Sequence, residues 1–561
     1  MNTPICDFVR EYAASDAIRA HVPGHKGRSA FAAVKKKDAG EPDAANAYKN
    51  EGEPDTANAY KNAGAPGATD IYEETLSSIY PFDITEIAGA DELYHAQSII
   101  AESEANASEL FGCPTYYSTE GSSLCIRAMI YLCMMKQTED AFPAREALAS
   151  AVSASSDDSV SSDNAVSSDD AAAPDSPASS AGRPSRPRWI LATRNAHKTF
   201  MSACILLGLE SEWIRPTGKA GSMELTDVTE ALMAGITKYG SLPCCVYVTS
   251  PDYTGEELPL KRIVEAAHRR GVPVAVDNAH GAYLHFLMDG FDPIKDGADI
   301  CCDSAHKTLP VLTGGAYLHI SEGFVIGNRE TEAKRIREAM ALFASTSPSW
   351  LILQSLDLAN KVLSEGWAEA LDNTCAEVFR AKRKLEAGGI EMLGDELLKI
   401  VIRTRPLGYQ GYEFAELLRD GLVPDSDHEG DSSTRPIEVE FADPDMVVLM
   451  ISPSNTKDEI RALVERILKI PRREPLQGEK YSFVTVRGVT EFPERVMTMR
   501  EASMMPCEYV PVDEALGRVA HLMDVACPPA VPIVMPGERI GEKQIEIMKY
   551  YGYTECKVVR E

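Results

Sequence analysis

The sequence predicts an α/β protein with a large domain built on a mostly parallel sheet, followed by a smaller α/β domain. Up to about residue 345, short apolar, β-prone runs alternate with helix-length segments, a pattern typical of parallel sheets covered by helices. After Trp350 the pattern changes, because one long helical stretch precedes further strands and a capped helix. We therefore expect two successive α/β units.

Local apolar patterns place the individual elements. In the large domain, the predicted strands are residues 115–118, 189–192, 244–249, 273–276 and 298–302, with helices at 122–135 and 260–270. In the small domain, we predict a long helical stretch over about 351–387, strands at 399–403, 437–441 and 446–451, and a helix that begins near Asn455. The resulting division is an N-terminal arm over 1–70, the large domain over 71–345, the small domain over 346–470 and a C-terminal segment over 471–561.

Two stretches do not read as parts of a packed domain. Residues 40–50 and 52–62 are near-duplicates that differ only at Ala44 and Thr56, and two short copies are too few to stack as a solenoid. We interpret them as a duplicated surface loop. Residues 150–180 consist almost entirely of Ser, Ala, Asp and Pro, so they cannot bury enough apolar surface to fold. We expect a disordered insertion over about 148–184.

Composition excludes several classes of function. With 56 Lys+Arg against 85 Asp+Glu, the net charge of −29 argues against nucleic acid or an anionic membrane surface as a partner. No apolar run approaches the length of a membrane span, and the first residues show no secretory pattern. The 13 cysteines lack paired C-x-x-C spacing, so we expect neither a disulfide framework nor a metal site. A cytoplasmic protein is the simplest expectation.

Polar residues follow the predicted strands at their carboxyl ends, where parallel sheets bind ligands. Gly121, Ser122 and Ser123 open a helix after the first strand, a suitable start for an anion site, although serine is also an ordinary helix cap. Asp277 follows another buried strand and needs a partner there, unless it only caps a turn. Lys307 follows the strand at 298–302 and lies between apolar runs, which favours a buried nucleophile over a solvated lysine.

These residue types together suit pyridoxal 5′-phosphate. This cofactor needs a lysine for its Schiff base, an anion site for its phosphate and a carboxylate against its pyridine nitrogen, and a flat group on its ring helps to hold it. Lys307, the turn at 121–123, Asp277 and His197 would fill those four roles. Each match alone is weak, whereas the ordered set at successive strand ends is specific.

The motifs along the chain resemble those of the bacterial Orn/Lys/Arg decarboxylase family, pyridoxal-phosphate enzymes of fold type I. The resemblance is to shorter members that lack the N-terminal receiver-like domain. The matching segments are residues 21–27, 85–91, 121–123, 195–198, 250–255, 277–281, 304–307, 345–349 and 536–538. The resemblance implies a large domain with a seven-stranded type of sheet and a smaller C-terminal α/β domain.

Roles for individual residues follow from the resemblance. It implies that Lys307 forms the Schiff base with the cofactor and that His306 and Ser304 flank this lysine. It also implies that Ser304 contacts the phosphate together with Gly121, Ser122 and Ser123. It also implies that His197 stacks on the ring, that Asp277 pairs with the pyridinium and that Ala279 packs on the other ring face. Family members share active sites between subunits, so we expect a homodimer or higher homo-oligomer to which residues 345–347, His25 and Lys26 contribute across the interface.

The reaction implied is α-decarboxylation of a basic amino acid to a polyamine precursor and CO2, with arginine first, then lysine or ornithine. His306 or Lys307 would protonate the α-carbon, and the acids considered for the side-chain cation are Glu538, Asp91 and Glu120. Three alternatives stay open: an aminotransferase or carbon–sulfur lyase of the same fold, a non-catalytic regulatory paralogue, and an acidic scaffold. The presence of both Lys307 and Asp277 argues against the regulatory paralogue, and an acidic scaffold explains none of the strand-end residues.

Overall fold

The structure is a computed structural model that describes residues 1–14, 78–156, 187–217, 225–288, 290–394, 396–420, 435–477, 492–521 and 532–560. The duplicated segment at 40–62 and the motif with His25 and Lys26 lie outside the described residues, as does most of the stretch at 150–180. The domain boundaries given above stay a prediction.

A seven-stranded sheet forms the centre of the large domain, in the order β1-β7-β6-β5-β4-β2-β3. Its strands are β1 Thr115–Ser118, β2 Trp189–Thr193, β3 Glu210–Ile214, β4 Val246–Thr249, β5 Val274–Asp277, β6 Ile300–Asp303 and β7 Ala316–Ile320. Strands β2 to β6 pair in parallel, while β7 lies antiparallel between β1 and β6. The mostly parallel sheet is confirmed, and β3 and β7 are strands that the apolar pattern missed.

Helices cover the sheet and continue into the rest of the chain. Their bounds are α1 Pro4–Ala14, α2 Ile99–Phe111, α3 Gly121–Ser156, α4 Lys198–Leu207, α5 Leu225–Tyr239, α6 Leu260–His268, α7 Ala305–Thr308, α8 Arg329–Ala341, α9 Trp350–Ser364, α10 Trp367–Ala387, α11 Gly411–Asp420, α12 Lys457–Lys469, α13 Met499–Met504 and α14 Glu542–Tyr550. Helix α3 extends past Ser150 to Ser156, so the first part of the predicted disordered insertion is helical.

Close packing of α5 on β2 depends on a glycine. Trp189 of β2 is fully buried, and a Cβ atom at Gly235 of α5 would lie 2.2 Å from its ring. Any larger residue at this position would therefore push the helix away from the sheet. Strands β4, β5 and β6 are buried along almost their entire length, as expected for parallel strands with helices on both faces.

The small domain contains a four-stranded antiparallel sheet in the order β10-β11-β9-β8. Its strands are β8 Met392–Leu393, β9 Lys399–Arg403, β10 Phe441–Ala442 and β11 Met446–Met450. The helical stretch predicted over 351–387 consists of two helices, because Gly366, with φ +85°, separates α9 from α10. The predicted capped helix is α12, where Thr456 and Glu459 form a capping box.

The C-terminal segment adds a two-stranded sheet of β12 Cys507–Pro511 and β13 Glu555–Val559. It also reaches back to the large domain, because Arg495 binds Glu212 of β3 at 2.6 Å and the Ser211 carbonyl at 2.6 Å. Among the helices in the described ranges, none combines the length and apolar character that crossing a bilayer requires.

Candidate active site

The carboxyl ends of β1, β2, β5 and β6 lie at one edge of the large sheet. Strands β2, β5 and β6 run in the same direction, and β1 shares it because both β1 and β6 are antiparallel to β7. This topology brings the segments that begin at Gly121, His197, Asp277 and Ser304 to the same edge. The predicted clustering of strand-end residues therefore has a structural basis.

A turn at the start of α3 forms a polar cradle. Gly121 has φ +69°, and a Cβ atom added to it would meet only His306 Cε1, at 4.0 Å. Ser304 donates a hydrogen bond to the Ser122 hydroxyl at 2.7 Å, and Ser123 lies 3.1 Å from the Thr199 hydroxyl. The first N–H groups of a helix have no partners within the helix, so this turn offers donors and a positive dipole end to an anion.

Asp277 is a buried carboxylate held in a fixed orientation. Its Oδ2 accepts a hydrogen bond from the Tyr247 hydroxyl at 3.0 Å, and its Oδ1 accepts one from the Ala279 N–H at 3.2 Å. Burial, reinforced by Asp277, raises the pKa of Tyr247 well above its usual value, so this phenol remains a donor. Ala279, expected to face the cofactor ring, is buried beside the carboxylate.

His197 caps the start of α4 with its ring in one defined state. The Thr199 N–H donates to Nδ1 at 3.2 Å, so the proton of the neutral ring lies on Nε2. Burial lowers the pKa of His197; Asp277 opposes this effect, whereas Lys307 adds to it. The ring of His197 is therefore neutral and flat, and both Asp277 and Lys307 are close enough to influence its pKa.

Lys307 meets a histidine that sequence reasoning missed as a functional residue. Its Nζ lies 3.0 Å from Nε2 of His280. The His280 residue is buried, with an exposed fraction of 7%. Burial, with a further contribution from Lys307, lowers the pKa of His280 well below its ordinary value of 6.5. His280 is therefore a neutral hydrogen-bond partner for the amine. The available signal was its position three residues after Asp277 in the strand-end run.

His306 is fixed by the backbone on the cradle side. Its Nδ1 lies 3.1 Å from the Gly315 carbonyl. Because a carbonyl oxygen only accepts, Nδ1 carries a proton, and Nε2 is the atom that remains for proton exchange.

Some of the buried polar atoms without a hydrogen-bond partner lie at the same edge. Buried polar atoms normally have partners, so these atoms are available to a polar ligand there. In the part of the chain that the structure describes, these atoms are Asn195 Oδ1, Thr249 Oγ1, Asn278 Oδ1, His280 Nδ1 and Thr308 Oγ1. Together with the anion cradle, the buried carboxylate and the lysine, they fit pyridoxal phosphate. The same described residues contain no cluster of three or more His, Cys, Asp or Glu suited to a metal ion.

The three acids considered for a substrate cation have other partners in this chain. Asp91 accepts hydrogen bonds from the backbone N–H groups of Gln97, Ser98 and Ile100 at the start of α2. Burial alone would raise the pKa of Asp91, but backbone hydrogen bonds outweigh burial and lower it. Glu538 forms two 2.7 Å bonds with the buried Arg194. Both carboxylates therefore have structural roles. Glu120 is exposed and accepts the Ser345 N–H at 2.5 Å, which ties it to the 345–347 segment.

Known proteins resemble this chain in both sequence and fold. The family description Orn/Lys/Arg decarboxylase, major domain, matches residues 185–401, and the corresponding C-terminal domain matches residues 484–557. An arginine decarboxylase of Halalkalibacterium halodurans is 26% identical over 98% of this chain and 93% of its own length. An arginine decarboxylase of Bacillus subtilis is also 26% identical, over 97% and 92%.

Solved structures confirm the fold. The lysine decarboxylase LdcF of Francisella novicida superimposes with a TM-score of 0.66 at 14% identity, over 100% of this chain and 81% of that one. Lysine decarboxylase A of Pseudomonas aeruginosa gives a TM-score of 0.67 at 16% identity, over 98% and 76%. The predicted fold type I architecture is thus confirmed. Since the major domain and the C-terminal domain of the family are both matched, the chain belongs to the Orn/Lys/Arg decarboxylase family.

Proposed function

We propose that this protein is a pyridoxal-phosphate-dependent decarboxylase that converts a basic amino acid to its amine and CO2, with arginine as the first choice, then lysine or ornithine. The observation that carries the proposal is the Lys307 amine, 3.0 Å from a neutral buried histidine at the sheet edge that also holds Asp277 and the serine cradle. Relatives named arginine decarboxylase, which match nearly the whole chain, support the choice of substrate class.

Each part of the cofactor would have a residue to hold it. Gly121, Ser122, Ser123 and Ser304 would bind the phosphate, His197 and Ala279 would cover the two ring faces, Asp277 would face the ring nitrogen, and Lys307 would make the covalent attachment. When bound, the cofactor supplies an acceptor for the electron pair that the α-carbon keeps as CO2 departs.

The residues around Lys307 bind or transfer protons during the proposed reaction. A neutral His280 accepts a hydrogen bond from Lys307 Nζ at 3.0 Å and so orients this nitrogen for nucleophilic attack. Asp277, oriented by Tyr247, stabilises a proton on the nitrogen that faces it. His306 or Lys307 returns a proton to the α-carbon, and His306 is suited to this because Nδ1 is anchored and Nε2 remains for exchange.

The assembly and cellular role are part of the same proposal. We infer a homodimer or higher homo-oligomer with shared active sites, in the cytoplasm, acting in polyamine biosynthesis. The 345–347 segment remains a candidate for the shared part; within one chain, Glu120 accepts a hydrogen bond from the Ser345 N–H.

The decisive experiment combines cofactor absorbance with release of labelled CO2. Purified protein with pyridoxal phosphate is expected to show the absorption band of a lysine-bound cofactor, and to release CO2 from carboxyl-labelled arginine, lysine or ornithine. Lys307→Ala should abolish both signals, while Lys261→Ala, which changes an exposed lysine, should keep both. Persistence of the band in Lys307→Ala would refute the Schiff-base lysine. Amino transfer to 2-oxo acids without CO2 would favour the aminotransferase alternative.

A further inference from the structure

Within the described residues, His280 has a hydrogen-bond partner at one of its two ring nitrogens. Its Nε2 lies 3.0 Å from Nζ of Lys307, whereas its buried Nδ1 has no partner. A single hydrogen bond fixes the position of one ring atom but leaves the imidazole able to turn about it, because the outer torsion of a histidine side chain has broad minima. A second contact is therefore needed to hold the ring in one orientation against the lysine.

Tyr253, in the loop after β4, provides this second contact. Its ring meets the His280 ring edge-on, with centroids 5.0 Å apart and an angle of 75° between the planes. Edge-to-face packing of aromatic rings is favourable and depends on their mutual orientation. Turning the His280 ring would lose this geometry, so Tyr253 restrains the orientation of the histidine.

The loop that carries Tyr253 is fixed by its own side chains. Oδ1 of Asp252, the preceding residue, accepts hydrogen bonds from the N–H groups of Thr254 at 2.9 Å and Glu256 at 3.0 Å. A side-chain acceptor that binds the backbone of the following residues stabilises a turn in one conformation. The ring of Tyr253 is therefore presented to His280 from a defined place.

The small domain holds Tyr253 from the other side. The Tyr253 hydroxyl donates a hydrogen bond to Glu440 at 3.0 Å, and its backbone carbonyl accepts one at 3.2 Å from Lys399, the buried first residue of β9. Its ring also packs edge-on against Phe441 of β10, with centroids 5.5 Å apart. One residue of the large domain thus contacts both the small-domain sheet and the histidine beside the reactive amine.

We propose that Tyr253 is a positioning residue, through which the small domain orients His280 against Lys307. Its effect on the chemistry passes through His280, and its hydroxyl and carbonyl are bonded to the small domain. An amine held toward its target by a fixed neighbour reacts faster than one that is free to turn away. This inference rests on the proposed function and adds to it a contact that makes the reactivity of the lysine depend on how the small domain is docked.

The first test measures how fast the full-length protein, freed of cofactor, takes up pyridoxal phosphate, followed by the absorption of the lysine-bound cofactor. Tyr253→Leu removes the ring contact, so the rate should fall about tenfold. His280→Gln should slow uptake by a similar factor. In the His280→Gln background, Tyr253→Leu should change the rate by less than about twofold, because the ring that Tyr253 orients is already absent.

The second test examines the connection to the small domain. Tyr253→Phe and Glu440→Leu each remove the hydrogen bond between the two residues, so each should slow uptake about threefold. Glu440→Gln, which keeps an acceptor, should restore the rate. Tyr239→Phe is the matched control, since it removes a tyrosine–glutamate hydrogen bond of 2.7 Å to Glu212 of the edge strand β3. Its rate should stay within about twofold of the unsubstituted protein.

An equal effect of Tyr253→Leu in both backgrounds would overturn the inference, because Tyr253 would then act without His280. An unchanged rate in Tyr253→Leu would overturn it as well. If Tyr253→Leu does not fold, Tyr253→Phe takes its place in the comparison of the two backgrounds. Failure of the unsubstituted protein to bind pyridoxal phosphate, or to release CO2 from arginine, lysine or ornithine, would instead reject the proposed function.

Discussion

Hydrogen bonds fix each side chain of the candidate site on one side and leave the other side for chemistry. Tyr247 holds Asp277, the Thr199 N–H holds His197, and the Gly315 carbonyl holds His306. Groups oriented before the ligand arrives need no reorganisation during the reaction, which is a main source of enzymatic rate enhancement. The individual residues of this site therefore depend on neighbours that never touch the substrate.

Replacing Asp277 by asparagine tests the electrostatic role of this carboxylate. Asp277→Asn keeps the shape and an acceptor for Tyr247 but removes the charge, so the cofactor should remain bound while turnover falls by about 100-fold. Absorbance of the bound cofactor and the rate of CO2 release measure the two effects. Asp296→Asn, in an ion pair with an exposed lysine, is the control. Unchanged turnover in Asp277→Asn would remove the proposed role.

The buried His280 should make stability depend on pH. Its pKa in the folded state lies well below 6.5, so below that pH the unfolded chain binds a proton that the folded chain does not. Stability is therefore fully present above 6.5 and falls as the pH decreases. Between about pH 7.5 and about pH 5.5, His280→Gln should lose about 1 kcal/mol less unfolding free energy than the unsubstituted protein.

Denaturant unfolding at the two pH values measures this difference. His95→Gln, which alters an exposed histidine paired with Glu92, is expected to behave like the unsubstituted chain. An identical pH dependence for His280→Gln would mean that His280 has the same pKa in the folded and unfolded states, and would contradict the prediction.

At the scale of elements, a buried polar network joins the ends of four strands. Asn278, after β5, donates to Asp303 of β6 at 2.6 Å, and Asp303 lies 3.2 Å from His319 of β7. His319 also contacts the Thr115 hydroxyl of β1 at 2.9 Å. Burial alone would lower the pKa of His319, but Asp303 raises it to about 10, so the imidazole is charged. The network aligns the strands from which Asp277, Ser304 and the cradle project.

Removing the carboxylate of this network should be costly. Asp303→Asn leaves the His319 charge buried without a counter-ion, so we expect a loss of about 3 kcal/mol of unfolding free energy at neutral pH. The pair stabilises the fold fully below 6.5, the ordinary pKa of histidine, and its contribution is lost as the pH rises toward about 10. The stability of the unsubstituted protein should fall over that interval more than that of Asp303→Asn. Glu92→Gln, at an exposed pair, should change stability by less than about 1 kcal/mol.

The elements differ in how far local sequence could predict them. The strand ends with Asp277 and Lys307 were predictable because short buried runs are followed at once by polar residues. Strand β3 was not, because its Glu210 and Glu212 suggest an exposed segment, and both carboxylates pair with Arg495 from the C-terminal segment. Lys399 likewise occupies an ordinary strand position in the sequence. Only the packing of the two domains shows that it is buried.

At the scale of the whole molecule, the C-terminal segment is bound to the edge of the large sheet. Arg194, directly after β2, pairs with Glu538 at 2.7 Å and lies 4.7 Å from the centre of the Phe492 ring. His197 follows Arg194 by three residues along the chain. No local pattern predicts this pair, because its members are 344 positions apart. The pair thus joins the C-terminal segment to the large domain.

Glu538→Gln tests this connection. It leaves the Arg194 charge buried without its partner, so the unfolding free energy should fall by about 3 kcal/mol. The matched control is Glu494→Gln, which removes the carboxylate from the exposed pair with Arg539 and should cost less than about 1 kcal/mol. Chemical denaturation of both variants measures the comparison. Equal losses would mean that the buried pair contributes no more than a solvated one.

The edge position of β1 has a consequence for biosynthesis. Among the strands that the structure describes, β1 neighbours only β7, and Thr115 pairs with His319, which follows it by 204 positions. A ribosome must therefore synthesise all residues between β1 and β7 before β1, which leads into the glycine–serine turn, can pair in the sheet. Pairings between such distant segments form slowly. The candidate active site is consequently completed late in biosynthesis, only after translation has passed β7.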